Sequence, residues 1–347
     1  MNETQIKIKS VNRYQDLNTF FDYESEGWIG SDVAHSIVIG NNKILWLFGD
    51  TFIGETENKK RSTDCQMLNN SIGIMTIKND NPNEMKFFWN KIGGKNFSFF
   101  KQPDEMVGDF LWPTNGIVIN DILYVFCMAV NTTQDHTIDI AGTISIKIHN
   151  CSETPEEWEM EYWDFQYEHG VVHSALFRKE NYLYFLGFRG KVFKDSMFLG
   201  KLNIHDISNL KTSKSIKYFH KYDKWDISQK MAKPMFSPCN SESNIYYKKD
   251  INTYFTTTYF PKKNKLYLLW SKELYGPWSD PLHIYTIPER NRSFSVHSYA
   301  MRIHSWFSDQ CGHLIISYAT NEFGGLSNLF TSEGYDIYRP KFIRVEL

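Results

Sequence analysis

Residues 27–54 read GWIGSDVAHSIVIGNNKILWLFGDTFIG, and this stretch predicts the fold of the chain. His35–Ile39 alternates well enough for one strand, and Ile44–Phe48 is apolar throughout, as is typical of a strand buried on both faces. Between them, Gly40 and the two asparagines that follow it tolerate the positive φ that tight hairpin turns require. The stretch therefore predicts a β-hairpin.

An acidic residue stands at each open end of this hairpin. If the turn is centred on Asn41, residues whose numbers sum to 82 face each other, and Asp32 and Asp50 meet that condition. A turn centred between Asn41 and Asn42 shifts the pairing by one residue. In either register the two carboxylates share one end of the hairpin, with Cβ atoms roughly 5 Å apart. Carboxylates this close push their pKa values apart, and acid–base catalysis uses such a split.

The composition excludes some classes of partner. The chain has 347 residues, a formal charge of −2, and 41% hydrophobic content, which is enough for a large core. This balance of charge gives no reason to expect nucleic acid or a membrane as a partner, and no run approaches the ~18 apolar residues of a membrane-spanning helix. The first residues, MNETQIKIKSVNRY, lack the apolar core of a secretory signal. We therefore expect a cytoplasmic protein, or a secreted one if a signal has been removed; no feature indicates an oligomeric state.

The five cysteines do not form a recognisable framework. They are scattered, odd in number and contain no CxxC pair, so we expect free thiols in a reducing compartment. Metal ligation is weakly supported, because His297 and His304 have no helical i, i+4 relation and no Cys partner at zinc spacing.

Similar strands recur along the whole chain. Apolar, aromatic strands begin at residues 44, 123, 183, 253 and 314, at intervals of 79, 60, 70 and 61 residues. Each follows another short strand and a turn, and further strands follow each hairpin; the richest helix signal is the short segment Asp16–Phe21. Five units of about four strands, at a period of ~60–80 residues, predict an all-β, five-bladed β-propeller with four-stranded antiparallel blades.

The two ends of the chain fit the same architecture. IKIKSV at 6–11 and FIRVEL at 342–347 both alternate, so the N- and C-terminal strands can complete one blade and close the ring. No Gly/Ser-rich linker divides the chain, which indicates a single domain over residues 1–347. A two-sheet sandwich is the alternative, but five similar units favour a radial array. In a propeller the inner strands line a central channel, so equivalent positions of all the blades converge there.

The first hairpin also resembles a known family. GWxGxD…LWLFGDTFxG is similar to the opening of five-bladed propellers long catalogued as a domain of unknown function, a family that includes the endo-D-arabinanases. The resemblance continues through NNSIGI at 69–74, WPTNGIVINDILYVF at 112–126 and SYAMRIHSWFS at 298–308 to YRPKFIRV at 338–345, so it spans essentially the whole chain. It implies a glycoside hydrolase acting on furanosyl, arabinan-like bonds, whose two carboxylates are Asp32 and Asp50.

The two carboxylates have different expected roles. A glycosidase needs one carboxylic acid to protonate the leaving oxygen and one carboxylate to activate water or attack the anomeric carbon. Asp50 ends a buried strand, where partial desolvation raises a pKa, so we expect it to be the general acid. Asp32 lies among Gly30, Ser31 and His35, a more polar setting expected to keep it ionised as base or nucleophile. The plainer interpretation is that Asp50 caps a turn and Asp32 orders a loop.

Residues at the entries of the inner hairpins are candidates for binding the sugar. Amides suit sugar hydroxyls, and an indole suits the apolar face of a sugar ring. For each candidate, a place in a turn, in the core or in a solvated loop is the alternative. The candidates are His35, Asn69, Asn70, Trp112, Glu168, His173, Ser237, Tyr299, His304, Tyr318 and Asn321.

An oligo- or polysaccharide is thus the expected partner, and no cofactor is expected. A structural calcium at the propeller axis stays open, because carbonyl and water ligands leave no sequence trace. Two other functions stay open as well. One is a non-catalytic carbohydrate-binding propeller. The other is a glycoside phosphorylase or transferase, which would place basic side chains such as Arg189 or Arg302 in the channel.

Overall fold

The structure is a computed structural model whose chain is mostly β-strand, as expected. It describes residues 6–22, 27–40, 42–133, 138–165, 171–188, 197–209, 215–221, 224–237, 239, 242–260, 264–292, 294–322 and 324–347, without the side chains of residues 165, 171–176 and 188. Within these ranges no helix is long and apolar enough to cross a membrane.

The strands are numbered in chain order. They are β1 (Ser10–Arg13), β2 (Trp28–Ser31), β3 (His35–Gly40), β4 (Lys43–Phe48), β5 (Thr51–Ile53), β6 (Thr56–Glu57), β7 (Lys60–Arg61), β8 (Gln66–Leu68), β9 (Ser71–Lys78), β10 (Asn81–Phe88), β11 (Asn90–Ile92), β12 (Lys95–Phe97), β13 (Phe110–Ile119), β14 (Ile122–Thr132), β15 (Ile138–Ile148), β16 (Met160–Phe165), β17 (Val171–Lys179), β18 (Tyr182–Phe188), β19 (Met197–Asn203), β20 (Lys217–Lys221), β21 (Lys224–Asp226), β22 (Pro234–Phe236), β23 (Tyr246–Lys248), β24 (Thr253–Tyr259), β25 (Lys265–Ser271), β26 (Leu282–Thr286), β27 (Val296–Ile303), β28 (Leu314–Glu322) and β29 (Lys341–Glu346).

Five antiparallel sheets of four or more strands follow one another along the chain. Sheet 1 is β3–β4–β9–β10, sheet 2 is β13–β14–β15–β16, sheet 3 is β17–β18–β19–β20–β21 with β22 against β19, sheet 4 is β23–β24–β25–β26, and sheet 5 is β27–β28–β29–β1. Three smaller sheets, β2–β5–β8, β6–β7 and β11–β12, accompany the first unit. This succession differs from the two packed sheets of a sandwich.

The apolar core is divided among the gaps between these sheets. Each of five clusters of buried side chains joins two sheets, as β-sheets with two apolar faces require. The clusters combine Leu45 with Val125, Phe126 with Phe185, Leu199 with Leu269, Phe255 with Ile316, and Ile315 with Trp46. The last pair brings sheet 5 against sheet 1.

The ends of the chain meet in sheet 5. Strand β1 pairs antiparallel with β29, with Ser10 opposite Glu346. The buried amide of Asn18 donates to the Phe342 carbonyl at 2.9 Å and accepts from the Phe342 N–H at 2.9 Å, which ties the first helix to the last strand. The N- and C-terminal strands therefore share one sheet, as the sequence predicts.

Two α-helices occur in the described part of the chain. Helix α1 (Gln15–Asp22) confirms the helix signal at residues 16–21. Helix α2 (Ser305–Cys311) interrupts the fifth hairpin, where the sequence analysis expects only strands and a turn. It buries Phe307 and ends at Gly312, whose φ of +72° lies in the left-handed region that glycine adopts without strain.

The first hairpin has the register in which facing residue numbers sum to 82. His35 faces Leu47 and Ile37 faces Leu45, although Asn41, at the expected turn, lies outside the described residues. Strand pairing resumes beyond the acidic residues, because Ser31 pairs with Thr51 in the small sheet β2–β5–β8. The expectation that the acids stand at open strand ends is therefore wrong: they lie at a junction between two sheets.

Candidate active site

Asp32 and Asp50 are neighbours in the backbone ladder. The Asp32 N–H donates to the Asp50 carbonyl at 3.1 Å, and the Gly49 N–H donates to the Asp32 carbonyl at 3.4 Å. Val33, directly after Asp32, has a φ of +54°, a strained conformation for a β-branched residue. The backbone thus changes course at the acidic pair instead of continuing as a regular strand.

Gly49 makes room for the Asp32 carboxylate. A Cβ atom added at Gly49 would overlap Asp32 Oδ1. Any larger residue would have to displace this carboxylate, so the Gly-Asp dipeptide at the end of β4 serves both acids. Gly49 supplies the space and Asp50 the second carboxyl group.

The Asp50 carboxylate is held by two donors from different elements. Trp112 Nε1, at the start of β13, donates to Asp50 Oδ1 at 2.8 Å, and the Asn69 side chain also hydrogen bonds to Asp50. Burial raises the pKa of Asp50 to about 6, although both hydrogen bonds favour the ionised form and act in the opposite direction. Asp50 therefore changes its charge near neutral pH.

The Asp32 carboxylate is held by tyrosines. Tyr299 of β27 donates its hydroxyl to Asp32 Oδ2 at 2.8 Å, and the buried Tyr338 hydroxyl is a second hydrogen-bond partner. Asp32 Oδ1 is buried and has no hydrogen-bond partner among the described residues. A buried carboxyl oxygen without a partner is costly.

The electrostatic contrast between the two acids is the reverse of the one expected. Burial raises the pKa of Asp32 well above its ordinary value, and the nearby Asp50 charge raises it further. The Tyr299 hydrogen bond lowers this pKa but does not outweigh burial. The expectation that a polar setting keeps Asp32 ionised is wrong, because its neighbours Gly30 and Ser31 are buried. Both acids are thus shifted toward protonation, and Asp32 is shifted further.

A buried arginine fixes the loop that carries Tyr338. Arg61 is 2% exposed, and its guanidinium donates to four backbone carbonyls of this loop, with distances of 2.7 to 3.1 Å. The four acceptors are the carbonyls of Leu329, Gly334, Tyr335 and Ile337. Burial lowers the pKa of Arg61 to about 9. Tyr338 itself has a φ of +65°, an unusual conformation for an aromatic residue, and this loop holds it there.

Two neutral histidines and an arginine lie farther along the same strands. His304 Nδ1 is 2.8 Å from Ser36 Oγ, and neither ring nitrogen of His35 has a hydrogen-bond partner among the described residues. Burial lowers the pKa of both histidines well below the usual range, and the Arg302 charge lowers it further. Burial lowers the pKa of Arg302 to about 9, while Glu242 opposes the shift.

Four predicted site residues lie at or next to the acidic pair. Tyr299, Trp112 and Asn69 contact it directly, and His35 follows it on β3. His304 contacts the same strand through Ser36. The predictions for these residues therefore remain compatible with one site.

Other predicted site residues have structural partners. The Asn70 amide donates to the Phe100 and Leu111 carbonyls, and the Tyr318 hydroxyl donates to Glu289, so neither side chain is available to a sugar. Asn321 accepts from the next backbone N–H, and Ser237 is an exposed residue after β22. Glu168, Arg189 and the side chain of His173 lie outside the described residues.

Sequence reasoning missed three residues of the site. Tyr338 lies on a loop that Arg61 of β7 holds in place, and no local pattern predicts this contact. Gly49 is known from the sequence only as part of the quoted motif. The motif YRPKFIRV at 338–345 contains Tyr338, and a tyrosine in a motif shared with a glycosidase family is the signal that identifies it.

Potential metal ligands and thiols are dispersed. The described residues contain no group of three His, Cys, Asp or Glu side chains able to hold a metal ion. All five cysteines are free thiols, and three of them are buried: Cys127, Cys151 and Cys239.

Comparison with solved structures identifies the class of fold. A candidate hydrolase from Bacteroides ovatus superposes with a TM-score of 0.77 at 20% identity, covering 96% of this chain and 90% of that one. The β-xylosidase/α-arabinofuranosidase CoXyl43 from a compost metagenome gives 0.52 at 11% identity, covering 93% and 92%. An α-L-arabinanase mutant from Cellvibrio cellulosa gives 0.50 at 11% identity, covering 91% of each chain. The protein has the fold of the β-propeller glycoside hydrolases.

Residues 14–347 match the family described as domain of unknown function DUF5005, and the chain belongs to that family. No curated protein matches the sequence.

Proposed function

We propose that this protein is a glycoside hydrolase that cleaves a furanosyl, arabinan-like bond with Asp32 and Asp50. The observation that carries the proposal is the pairing of two half-buried carboxyl groups, both with raised pKa values, at one junction of the first hairpin. Glycosidases use such a pair, and the names of two proteins with this fold include arabinanase and arabinofuranosidase activities. The sequence resemblance to the endo-D-arabinanase family points to the same substrate class.

The proposal includes a closed, five-bladed ring. Five successive sheets share apolar clusters in pairs, and one cluster combines side chains of sheet 5 with side chains of sheet 1. In such a ring the acidic pair of sheet 1 and Tyr299 of sheet 5 face the same channel, which agrees with their hydrogen bond.

The pKa shifts favour Asp32 as the general acid and Asp50 as the ionised partner. Asp32 has the more strongly raised pKa, so a proton held on its carboxyl group can pass to the leaving glycosidic oxygen. Asp50, whose carboxylate accepts from Trp112 and Asn69, then takes a proton from water or attacks the anomeric carbon. This assignment reverses the one expected from the sequence.

Leaving-group dependence tests the assignment. Both Asp32→Asn and Asp50→Asn should reduce hydrolysis of arabinan by about 10²–10⁴-fold, the typical contribution of general acid–base catalysis. On an aryl furanoside with a nitrophenolate leaving group, which departs without protonation, Asp32→Asn should recover most of the wild-type rate, whereas Asp50→Asn should stay inactive.

Three outcomes of this experiment are informative. If Asp50→Asn instead recovers the wild-type rate on the aryl furanoside, Asp50 is the general acid and Asp32 is the ionised partner. Unchanged hydrolysis in both variants would refute the mechanism. A wild-type protein that binds arabinan and never cleaves it would favour a carbohydrate-binding propeller.

The phosphorylase alternative has little support from this site. Arg302, the basic residue named for it within the described chain, is 4% exposed and directs its guanidinium to the Glu242 carbonyl at 3.4 Å. A phosphate-binding arginine would need an accessible guanidinium.

A further inference from the structure

A cavity whose lining does not include the acidic pair lies between sheet 3, sheet 4 and helix α2. Its volume is about 540 Å³, within the range of small-molecule sites. It is lined by the turn ends of β17 and of β23–β24 and by residues of α2. Tyr299 of β27 contacts Asp32, and Ser305, six residues later in the chain, lines the cavity. At about 3.3 Å per residue, these six residues span at most roughly 20 Å.

The lining carries an excess of positive charge. Four cationic side chains, Arg178, Lys179, Lys249 and Lys272, face two carboxylates, Glu273 and Asp309. One carboxylate is already engaged, because Asp309 Oδ1 accepts from the Tyr246 hydroxyl at 2.7 Å. Cationic groups that converge on a concave surface favour an anionic ligand.

None of the four cations forms an ion pair with another described residue, and two of them are held by hydrogen bonds. Lys272 Nζ donates to the Ile251 carbonyl at 2.8 Å, and Lys179 Nζ donates to the Tyr254 hydroxyl at 3.3 Å. Arg178 and Lys249 are exposed. They are the side chains able to neutralise an anion that enters.

Aromatic rings form another part of the lining. Tyr247 and Tyr254 pack with ring centroids 4.7 Å apart, and Phe177 meets Tyr254 at 5.9 Å. Aromatic faces next to hydroxyl donors suit the apolar face and the hydroxyl groups of a sugar ring. A small inorganic anion would leave this aromatic wall unused.

We propose that this cavity binds an anionic saccharide, a sugar that carries a carboxylate or a phosphate. Arg178 and Lys249 bind the anionic group, and Tyr247 packs against the ring. The site acts independently of Asp32 and Asp50, so it is expected to bind its ligand whether or not the acidic pair is a hydrolase.

Calorimetric titration with four probes tests the chemistry of the ligand. D-glucuronate, α-D-glucose 1-phosphate or both should bind at millimolar concentrations, and neutral D-glucose should not. Which anionic sugar binds identifies the carboxylate or the phosphate as the recognised group. Inorganic phosphate should bind more weakly than the phosphorylated sugar, because it lacks the ring.

Substitutions locate the binding. Arg178→Gln and Lys249→Gln should each weaken the anionic sugar about tenfold, the loss of one charge-assisted hydrogen bond. Both residues are exposed, so both variants should keep the wild-type circular dichroism spectrum. Lys95→Gln, an exposed lysine of β12, is the matched control and should bind as wild type does. Asp50→Asn should also bind normally.

Several results would overturn the proposal. They are binding of neither anionic sugar, equal binding of glucose, equal binding of inorganic phosphate and the phosphorylated sugar, or affinity unchanged in both Arg178→Gln and Lys249→Gln. Loss of binding in Asp50→Asn would place the ligand at the acidic pair instead.

Discussion

The two acids and the two tyrosines that contact Asp32 are positioned by different parts of the chain. Asp32 and Asp50 are adjacent in one backbone ladder, and a short alternating pattern sets their register. Tyr299 reaches Asp32 from 267 positions away, and Tyr338 reaches it on a loop held by Arg61. Local sequence thus places the carboxyl groups, whereas distant tertiary contacts adjust their charge.

Gly49→Ala tests whether the local sequence of the first hairpin places the acids, and it should have the largest effect. The new Cβ would overlap Asp32 Oδ1, so the carboxylate must move. A displacement of about 1 Å in an active site costs about 10²-fold in activity, and we expect at least that loss in kcat/KM on arabinan. Gly40→Ala in the same hairpin is the control, because its Cβ would meet nothing within 4 Å. Activity of Gly49→Ala within about twofold of wild type would contradict the proposed site.

Arg61→Lys tests the contribution of distant tertiary contacts, because Arg61 holds the loop that carries Tyr338. Lysine keeps the charge but cannot bridge the carbonyls of Leu329 and Ile337 together. Each buried hydrogen bond lost costs about 1–3 kcal/mol, so we expect a thermal midpoint several degrees lower and about tenfold lower kcat. Arg344→Lys, an exposed arginine of β29, should change neither quantity. Lower stability with unchanged kcat would mean that the loop does not position Tyr338 for the reaction.

Tyr299→Phe separates charge adjustment from packing. The Tyr299 hydroxyl stabilises the ionised form of Asp32 and so lowers the pKa of that acid. Removing it should raise the pKa of Asp32 further. If Asp32 is the general acid, the basic limb of the kcat/KM pH profile should therefore move to higher pH by about one unit.

Tyr318→Phe is the control for Tyr299→Phe. Tyr318 is also a buried tyrosine of sheet 5, but its hydroxyl donates to Glu289, so the pH profile should stay at the wild-type position. A basic limb that moves to lower pH in Tyr299→Phe would contradict the assignment of Asp32.

The smallest expected effect is the change in stability that accompanies the loss of activity in Asp50→Asn. The pKa of Asp50 is about 6 in the folded protein and 3.8 as the ordinary value, so the folded state holds the proton more tightly. Protonated Asp50 therefore contributes fully to the stability of the wild type below about pH 4, and this contribution is lost as pH rises through 6. Asparagine carries no charge, so the variant should melt a few degrees higher than wild type at pH 8, with the difference vanishing near pH 4. A lower thermal midpoint of Asp50→Asn than of wild type at pH 8 would mean that burial of the ionised Asp50 carboxylate does not destabilise the folded protein.

The sequence predicts much of the fold because the spacing of apolar residues along a strand indicates which of its faces are buried. The alternating His35–Ile39 and the apolar Ile44–Phe48 define strands, and the observed register is one of the two that the sequence leaves open. Helix α2 was missed because residues 305–311 carry few helix signals and gain their order from burying Phe307. Tyr338 and Arg61 were missed because their contacts join residues far apart in sequence. The charge state expected for Asp32 was wrong for a related reason: this residue has polar neighbours in sequence but buried surroundings in space.

The pairing of β1 with β29 has a consequence for synthesis. Strand β1 pairs with β29 across a long stretch of chain, since Ser10 and Glu346 are 336 positions apart. During translation, β1 and the buried amide of Asn18 cannot form these hydrogen bonds until β29 has been made. The nascent protein therefore carries an unpaired strand until then, and this strand is where a chaperone would be needed most.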